Sequence, residues 1–485
     1  MLSKLLGWLL AGGILIAAIG WGQSPAPAAG GSAAAPAPVD EGLEVGFDAT
    51  DITPPLNDAK KPVYLAGFGH NRKATGVNDP IMARTVVLRA GDKKIAMVSI
   101  DVVGYFHGEV EQVRARLADF HYVLVSSTHN HEGPDTLGLW GPSPVISGVD
   151  PAYMALVRER IVASVRAAEK TFAPAQVRFG TVKVPELLHD TRQPIVLHDD
   201  LVVLRFNAPG KEEPAGLVVQ WNCHPETMDD KNTQLTADYV YYTVDYLRQK
   251  YRCPVVYLTG TVGGLLTSLH VPIKSPEGVE LKDGTWEKTE RYGRLLGEAC
   301  DRALMRAEPI RLTPFEVRRR EFTVPMTNPL YHLGRKLGVL QRDIYVWTGN
   351  PADLRQGDSK TPEDQMAVRT EVSALLLGDL HIACIPGEIY PELVLDRIQE
   401  PVDPGADFPD APKEPAIYPH LGGRRQMIIG LANDQLGYII PKRQWDEKPP
   451  FCYGRAKKQY GEENSIGCDA APVICGVFKE MMAGR

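Results

Sequence analysis

Val123-Leu124-Val125-Ser126-Ser127-Thr128-His129-Asn130-His131-Glu132-Gly133-Pro134-Asp135 joins an apolar, β-prone run to two histidines, a glutamate and a Gly-Pro turn. The pattern predicts a buried strand that delivers side chains to a pocket at its C-terminal end. On extended backbone, His129 and His131 point the same way because they are two residues apart. Neutral imidazole is the commonest metal ligand, so the pair is a candidate metal site. A surface loop that happens to carry two histidines is the alternative.

Length and composition are ordinary for a large globular domain. The chain has 485 residues, of which 44% are hydrophobic and 23% are charged. A formal net charge of -7 argues against nucleic acid as a partner and indicates no polybasic membrane patch. The sequence contains no internal repeat. We therefore predict an α/β fold, with a single large mixed-sheet domain over residues 43–485 and helices on both faces.

The amino terminus is predicted to be a targeting segment. Lys4 precedes an apolar run over residues 5–21, which has the length of a signal-peptide core or a short anchor. Residues 24–38 read SPAPAAGGSAAAPAP and are typical of a disordered tether. We predict a signal peptide or N-terminal anchor over residues 1–22 and a Pro/Ala/Gly-rich tether over residues 23–42. The folded part is then exported, either periplasmic or secreted, and an anchor would hold it at the membrane.

The cysteines do not follow a metal-binding spacing. None of the seven forms a C-x-x-C pair, so a cysteine zinc site is not predicted. Cys452, Cys468 and Cys475 cluster near the end of the chain and are the candidates for one disulfide in an exported protein. The odd total leaves at least one thiol unpaired.

Metal-competent side chains lie just beyond several predicted strands. In open α/β sheets, ligands bind at this edge. Two histidines, one carboxylate and an open position make a competent catalytic zinc shell. The candidates in these loops are His129, His131, His224, Glu388 and Tyr438.

Several polar residues keep two interpretations. His198 and His381 lack the strand-end setting, and His381 is interpreted as structural because it lies inside a predicted strand. Glu132 and Glu226 either orient imidazole N–H groups or are solvated loop carboxylates. Tyr438 is either a ligand or a packed aromatic after a Gly turn.

A set of motifs occurs in order along the chain. They are Gly-Phe-Asp-Ala-Thr-Asp-Ile-Thr-Pro-Pro, Gly-Val-Asn-Asp-Pro, Ser-Thr-His-Asn-His-Glu-Gly-Pro, Asn-Cys-His-Pro, Pro-Gly-Glu and Leu-Ala-Asn-Asp-Gln-Leu-Gly-Tyr, at residues 46–55, 76–80, 127–134, 222–225, 386–388 and 431–438. This set resembles the neutral/alkaline (non-lysosomal) ceramidase family, zinc amidases that hydrolyse N-acylsphingosine. The resemblance extends over residues 43–467, nearly the whole predicted domain.

The resemblance implies a catalytic domain that binds one Zn²⁺ per chain. Its metal ligands correspond to His129, His224, Glu388 and Tyr438. His131 is then a catalytic or substrate-contacting partner. Arg192 matches an arginine that helps to hold the substrate head group. Tyr460 matches a second active-site tyrosine, a position for which Tyr453 competes.

These residue types suit amide hydrolysis without the resemblance. Zinc lowers the pKa of bound water towards neutrality and polarises an amide carbonyl. His131 would pass the proton to the leaving amine. Tyr460 or Arg192 would donate to the developing oxyanion.

Two features depart from the family. Its Gly-Asp-Val-Ser-Pro-Asn loop is here Gly263-Gly264-Leu265-Leu266-Thr267-Ser268, which lacks the Asp and the matching Ser. The family's C-terminal β-sandwich has no expected counterpart, because few residues follow Tyr460. If that sandwich engages lipid, ceramide is a less secure substrate than the amidase chemistry.

Three functions are weighed on this basis. The leading hypothesis is zinc-dependent hydrolysis of an N-acyl amide bond, with ceramide cleaved to a sphingoid base and a fatty acid by a zinc-activated water. The second is a zinc amidase or esterase that acts on a peptide or cell-wall amide. The third is a non-catalytic lipid- or carbohydrate-binding protein, for which a complete zinc shell has no physical use. The expected partner is a small-molecule or lipid amide, without nucleic acid, and with peripheral or N-terminally anchored membrane contact.

Overall fold

The computed structural model describes Asp40, residues 42–58 and residues 60–484. The predicted leader over residues 1–22 and the predicted tether up to residue 39 lie outside the described residues. Among the helices that the structure describes, none combines the length and the apolar character needed to cross a bilayer.

Packed structure already includes Asp40, ahead of the predicted domain start. Asp40 is buried, and its carboxylate accepts hydrogen bonds from the backbone N–H of Leu312 at 2.5 Å and of Thr313 at 3.1 Å. The end of the predicted tether is therefore attached to the folded domain.

Helices and short strands alternate along the described chain. The helices are α1 (His107–Ala115), α2 (Pro151–Glu169), α3 (Tyr239–Tyr251), α4 (Trp286–Met305), α5 (Pro329–Lys336), α6 (Pro391–Leu395), α7 (Ile417–Leu421) and α8 (Ala470–Met482). The strands are β1 (Leu43–Asp51), β2 (Gly76–Val77), β3 (Met82–Ala90), β4 (Lys93–Ile100), β5 (Tyr122–Ser127), β6 (Ala173–Pro174), β7 (Gln176–Lys183), β8 (His189–Asp190), β9 (Asp200–Asn207), β10 (Pro214–Trp221), β11 (Gln234–Leu235), β12 (Val255–Thr259), β13 (Leu266–Thr267), β14 (Glu308–Ile310), β15 (Phe315–Pro325), β16 (Tyr345–Val346), β17 (Met366–Leu377), β18 (Leu380–Cys384), β19 (Glu388–Ile389), β20 (Arg425–Ile429) and β21 (Tyr438–Ile439).

Three five-stranded sheets form the frame. Their strand orders are β5-β4-β3-β1-β6, β12-β10-β9-β7-β14 and β15-β17-β18-β20, with β16 beside β17 in the third. The predicted α/β class with mixed sheets is confirmed, and three further two-stranded sheets accompany the large ones in the described part of the chain. Twist accumulates by roughly 20–25° per strand, so a sheet of this many strands separates into packed layers.

Each large sheet contains one parallel pair, and each pair includes a strand that leads to the candidate site. These pairs are β4/β5, β10/β12 and β18/β20. His129 follows β5, His224 follows β10, and Glu388 follows β18. The sheets pack through a shared core that includes Leu124 and Met427. His129, His224 and Glu388 therefore each follow a strand of a different large sheet, while Glu388 itself begins β19, which pairs with β21 in a separate two-stranded sheet.

Local sequence explains the elements on which this frame depends. Strand β5 is buried at all six positions, as expected from its continuous apolar run. The hairpin of β3 and β4 turns at Gly91 and Asp92, as predicted. Helix α2 begins at Pro151 because the carboxylate of Asp150 accepts the N–H of Ala152 at 2.8 Å.

The predicted disulfide is not present. All seven cysteines are free thiols, so the structure contains no disulfide among Cys452, Cys468 and Cys475. Helix α6 is short, because Asp396 adopts a left-handed backbone with φ of 59° that ends it.

A substitution at Gly46 tests the packing between β1 and α2. A Cβ at this position would lie 2.0 Å from the carbonyl oxygen of Ala168, a backbone atom that cannot rotate away. We expect Gly46→Ala to lower the free energy of unfolding by roughly 1–3 kcal/mol through overpacking. Chemical denaturation monitored by circular dichroism measures the change.

The matched control is Gly108→Ala in α1, where an added Cβ meets nothing within 4 Å. Alanine favours a helix over glycine by about 1 kcal/mol, so this variant should be unchanged or slightly more stable. Equal stability of Gly46→Ala and wild type would contradict the close approach of β1 and α2.

Candidate metal centre

His129 and His224 are held in one tautomer by backbone carbonyls. The Nδ1 of His129 lies 2.6 Å from the carbonyl oxygen of Val103, and that of His224 lies 2.8 Å from the carbonyl oxygen of Leu266. A carbonyl only accepts, so each Nδ1 carries the proton and donates it. The Nε2 lone pair of each neutral ring is therefore free, which is the usual arrangement of a metal-binding histidine.

The two Nε2 atoms converge on one carboxylate oxygen. Glu388 Oε2 lies 3.1 Å from Nε2 of His129 and 3.2 Å from Nε2 of His224. Its other oxygen, Oε1, accepts a hydrogen bond from the side-chain amide of Gln435 at 2.8 Å. With neutral rings, three acceptor atoms face each other without a proton between them. A cation would relieve this repulsion.

The spacing of these atoms fits a tetrahedral metal. Ligands at about 2.0–2.1 Å from zinc in tetrahedral geometry lie about 3.3 Å apart. The separations at Glu388 are close to that value. Burial acts to raise the pKa of Glu388, but hydrogen bonds and charge interactions with the protonated forms of His129 and His224 outweigh it, so this pKa lies below its usual range. The carboxylate is thus charged at neutral pH.

Tyr438 is the strand partner of Glu388. The two residues are opposite each other in the parallel pair β19/β21. The Tyr438 ring is 5% exposed, and its centroid lies 6.4 Å from that of His224. Burial raises the pKa of its hydroxyl above the usual range. The Tyr438 ring therefore lies beside the other three predicted ligands.

His131 stands beside this group and faces Glu226. Its Nδ1 lies 3.1 Å from Glu226 Oε2, and its ring centroid lies 5.0 Å from that of His129. Burial lowers the pKa of His131 to about 4, although Glu226 acts to raise it, so the ring is neutral at pH 7. Donor atoms of His129, His131 and His224 lie within 4.8 Å of one another, so these three histidines could also hold a metal.

Of the two candidate orienting glutamates, the structure places only Glu226 against an imidazole. Glu132 is buried away from the rings, where it pairs with Arg72 at 3.3 Å and accepts the amide of Asn232 at 2.6 Å. Arg72 also donates to the backbone carbonyl of His131. Glu132 therefore supports the backbone of the histidine pair, since it holds the arginine that binds this carbonyl.

Sequence reasoning missed three supporting residues. Gln435 holds Glu388, the carbonyl of Leu266 orients His224, and the hydroxyl of Thr267 donates to Glu226. The Gly263–Leu265 turn and the residues after it thus contribute to the site, although their side chains depart from the family pattern. Gln435 lies in the Asn-Asp-Gln-Leu-Gly-Tyr motif. This motif was the sequence signal from which its supporting role could have been predicted.

Tyr460 reaches the site and Arg192 does not. The rings of Tyr460 and Tyr438 are 6.0 Å apart between centroids. Arg192 is 2% exposed and forms an ion pair with Glu462 at 2.6 Å, outside the cavity lining. The structure therefore does not bring its guanidinium to the position of a substrate head group, because the group is buried among protein acceptors. Tyr453 bonds to Gln399 at 2.5 Å and is not part of the lining.

A cavity of about 420 Å³ opens onto this group. His129, His131, Glu388, Tyr438 and Tyr460 line it. The rest of its wall is mainly apolar and includes Phe68, Phe106, Leu137, Trp140, Leu330, Leu333, Val339, Leu340 and Ile344. The polar cluster is buried while Leu330 and Leu333 are exposed, so the metal-competent groups lie deep and apolar side chains surround the mouth.

Comparison with solved structures identifies the architecture. A crystal structure of neutral ceramidase from Pseudomonas aeruginosa superposes with a TM-score of 0.67 at 15% identity, over 91% of this chain and 74% of that one. A ceramidase complexed with C2 superposes with a TM-score of 0.66 at 16% identity, over 91% and 75%. The chain has the neutral ceramidase fold.

Sequence comparison supports the same assignment. The neutral ceramidase of Mycobacterium tuberculosis (strain ATCC 25618 / H37Rv) is 29% identical over 148 residues, which are 28% of this chain and 23% of that protein. The match thus spans less than a quarter of that relative's length. No protein-family profile matches the chain. The resemblance to neutral ceramidases that the motifs predicted is confirmed.

Gln435 provides a test of the metal centre that leaves all four candidate ligands in place. Without its amide, Glu388 Oε1 loses its hydrogen bond and the carboxylate is free to rotate. We expect Gln435→Leu to weaken zinc binding roughly 10- to 100-fold, the usual effect of losing such a partner. Competition with a fluorescent zinc chelator measures the affinity.

Gln341→Leu is the matched control, because Gln341 is exposed and its amide donates only to the carbonyl of Gly338. Its zinc affinity should equal that of wild type. An unchanged affinity in Gln435→Leu would contradict the role assigned to the amide.

Proposed function

We propose that this protein is a zinc-dependent hydrolase that cleaves an N-acyl amide bond, with ceramide as the leading substrate. The proposal is carried by the approach of Nε2 of His129 and Nε2 of His224 to within 3.2 Å of one oxygen of Glu388, where His129 and Glu388 line a largely apolar cavity. A binding protein without catalysis has no use for this arrangement.

The four predicted ligands fit a zinc ion. His129, His224 and Glu388 would present three donor atoms, the hydroxyl of Tyr438 would add a fourth, and a further position would be left for water. The donor set of two imidazoles and a carboxylate with a further oxygen is one that zinc accepts. Zinc supplies Lewis acidity, which lowers the pKa of water and polarises an amide carbonyl.

His131 is placed to handle protons. Glu226 lies 3.1 Å from one ring nitrogen of His131, and the low pKa keeps this ring neutral at pH 7. The other nitrogen is then able to accept a proton from the attacking water and return it to the leaving amine. The adjacent Phe68 ring, 5.0 Å away between centroids, limits the orientation of the imidazole.

Tyr460 is placed to stabilise the oxyanion. The side-chain amide of Asn464 donates to its hydroxyl oxygen at 2.5 Å, so the O–H proton remains free to donate elsewhere. Donation to the developing charge on the amide oxygen would lower the barrier, as it does in other hydrolases. Burial raises the pKa of Tyr460, which keeps the hydroxyl protonated.

The apolar cavity favours a lipid amide over a peptide or a cell-wall amide. A peptide backbone would bring N–H and C=O groups against Phe68, Phe106 and Trp140, which offer them little hydrogen bonding. An acyl chain has no hydrogen bonds to lose in this cavity, and its burial is favourable because apolar surface is removed from water. The zinc amidase with a polar substrate remains the second candidate, supported by the metal-competent group alone.

Exposed apolar side chains around the mouth support peripheral membrane contact. Val145 and Ile146 on one loop are 53% and 54% exposed. Leu330, Leu333 and Leu337, on α5 and just after it, are 58%, 51% and 44% exposed. Because this apolar collar is continuous with the cavity lining, we place the collar against the outer layer of a bilayer. Export to a periplasmic or secreted location would bring the chain to such a surface.

Zinc content and a substrate panel test the proposed function together. Purified protein should hold about one zinc per chain, and His129→Ala and His224→Ala should lose it. Fluorescent N-acylsphingosine should be cleaved more efficiently than short peptide amides, cell-wall amides or esters. His131→Ala should keep zinc while kcat falls by roughly 10²- to 10⁴-fold. Elemental analysis and chromatographic product detection provide the measurements.

His270→Ala, in which an exposed histidine is removed, is the control and should keep both zinc and activity. Full zinc occupancy in His129→Ala and His224→Ala would refute the ligand assignment. Zinc binding without turnover of any substrate would favour the binding protein.

The collar is tested by comparing substrates in vesicles and in solution. Ile146→Ser and Leu333→Ser each remove an exposed apolar group, so binding to phosphatidylcholine vesicles should weaken several-fold. Turnover of vesicle-embedded N-acylsphingosine should fall more than turnover of a soluble short-chain analogue. Co-sedimentation and the ratio of the two rates measure these effects.

Val279→Ser and Met305→Ser are matched controls, since these residues are 64% and 80% exposed but lie outside the cavity lining. An equal loss of vesicle binding in the controls would show that the collar has no special role.

A further inference from the structure

Arg192 forms a buried ion pair with Glu462 that joins two distant segments. Arg192 is 2% exposed and Glu462 is 1% exposed. The guanidinium is bidentate: Nη1 donates to Oε2 at 2.9 Å and Nη2 donates to Oε1 at 2.6 Å. Paired, planar contacts of this kind fix both partners in orientation. We call this pair the Arg192–Glu462 clamp.

The clamp also holds the backbone around Tyr460. Nη1 of Arg192 donates to the carbonyl oxygen of Tyr460 at 2.6 Å, and Nη2 donates to that of Gln444 at 2.8 Å. Glu462 Oε1 in turn accepts the backbone N–H of Asp446 at 2.9 Å. One ion pair therefore fixes three positions of the segment that presents Tyr460 to the cavity.

These bonds occupy both Nη groups of Arg192. A guanidinium has five N–H donors. Four are directed at Glu462, Tyr460 and Gln444, and the fifth, on Nε, is buried without a partner and lies outside the cavity lining. A contact between either Nη group and a substrate head group would require the clamp to break.

The residue after Tyr460 is adapted to this close packing. Gly461 has φ of +138°, a conformation that favours glycine. A Cβ there would lie 3.0 Å from the hydroxyl of Tyr390 and 3.2 Å from Nη1 of Arg192. The backbone can approach the guanidinium because no side chain intervenes.

We propose that Arg192 is a positioning residue, which acts through Tyr460 and does not contact the substrate. Arg192 donates to the backbone carbonyl of Tyr460, and the side-chain amide of Asn464 donates to the Tyr460 hydroxyl. The two contacts hold Tyr460 at both its backbone and its side chain. The assignment rests on the proposed function, because it gives Tyr460 the role of oxyanion donor. It also replaces the head-group contact that the resemblance to ceramidases implied for Arg192.

A double-mutant cycle separates the two roles of Arg192. Lysine keeps the charge but cannot form the bidentate contact. We expect Arg192→Lys to lower kcat/KM for a soluble short-chain N-acyl amide by roughly 10- to 100-fold through misplacement of Tyr460. In a Tyr460→Phe background, where the hydroxyl is absent, the same change should cost less than about twofold. An equal loss in both backgrounds would overturn the proposal, because a direct substrate contact adds independently.

Hydrogen exchange followed by mass spectrometry gives a readout that needs no activity. In Arg192→Lys and in Glu462→Gln, amides of residues 456–466 should exchange faster while those of β3 stay protected. Unchanged exchange in residues 456–466 would overturn the clamp. If wild type cleaved no substrate, the proposed function would fail, and this exchange result would still decide whether the clamp holds the Tyr460 segment.

Gly461→Ala provides a second route if the arginine variants do not fold. Its matched control is Gly454→Ala, which has a positive φ of 62° but no atom within 4 Å of the added Cβ. Both variants carry backbone strain, and only Gly461→Ala presses on Arg192. A larger loss of kcat in Gly461→Ala than in Gly454→Ala supports the proposal, and equal losses would overturn it.

Discussion

The convergence of two imidazole lone pairs on one carboxylate oxygen is the constraint on which the rest of this structure depends. When both rings are neutral, His129 and His224 cannot donate to Glu388, because each commits its single proton to a backbone carbonyl. The arrangement is therefore repulsive without a cation and favourable with one. The chain holds it through costly local geometry, including a left-handed backbone at His129 with φ of 65°.

No single sheet edge carries all the candidate ligands, so the candidate centre forms where three sheets meet. His129, His224 and Glu388 follow strands of three separate sheets, and a β-bridge between Ser126 and Ala432 joins the first sheet to the segment that leads to Tyr438. Support from deeper layers then fixes each side chain. Asn433, for example, accepts the N–H of Val125 at 2.9 Å. The packing of the sheets thus sets the distances of the candidate centre.

The sequence predicted the strands and helices that have a clear hydrophobic pattern, and it predicted the candidate ligands because their side chains are typical of metal sites. Strand β5 and helix α2 follow from buried runs and a capping signal, and the ordered motifs indicated the His129, His224, Glu388 and Tyr438 set. The sequence suggested a substrate contact for Arg192. It could not reveal the ion pair with Glu462, because that partner is 270 residues away in the chain. Helix α5 has only eight residues, too few for a clear helical period, so the sequence did not predict it or the exposed Leu330 and Leu333 that it carries.

Main-chain carbonyls orient the imidazoles of both His129 and His224. The orientation of these rings therefore depends on the backbone, whereas the shape of the cavity depends on side chains. The carbonyls of Val103 and Leu266 stay in place whatever side chain stands there, while the Val103 side chain itself lines the cavity. A substitution at Val103 can therefore reshape the cavity while the main-chain carbonyl that fixes the tautomer of His129 is kept. The cavity lining and the candidate metal centre can thus vary independently, and libraries aimed at a new cavity shape can begin at Val103.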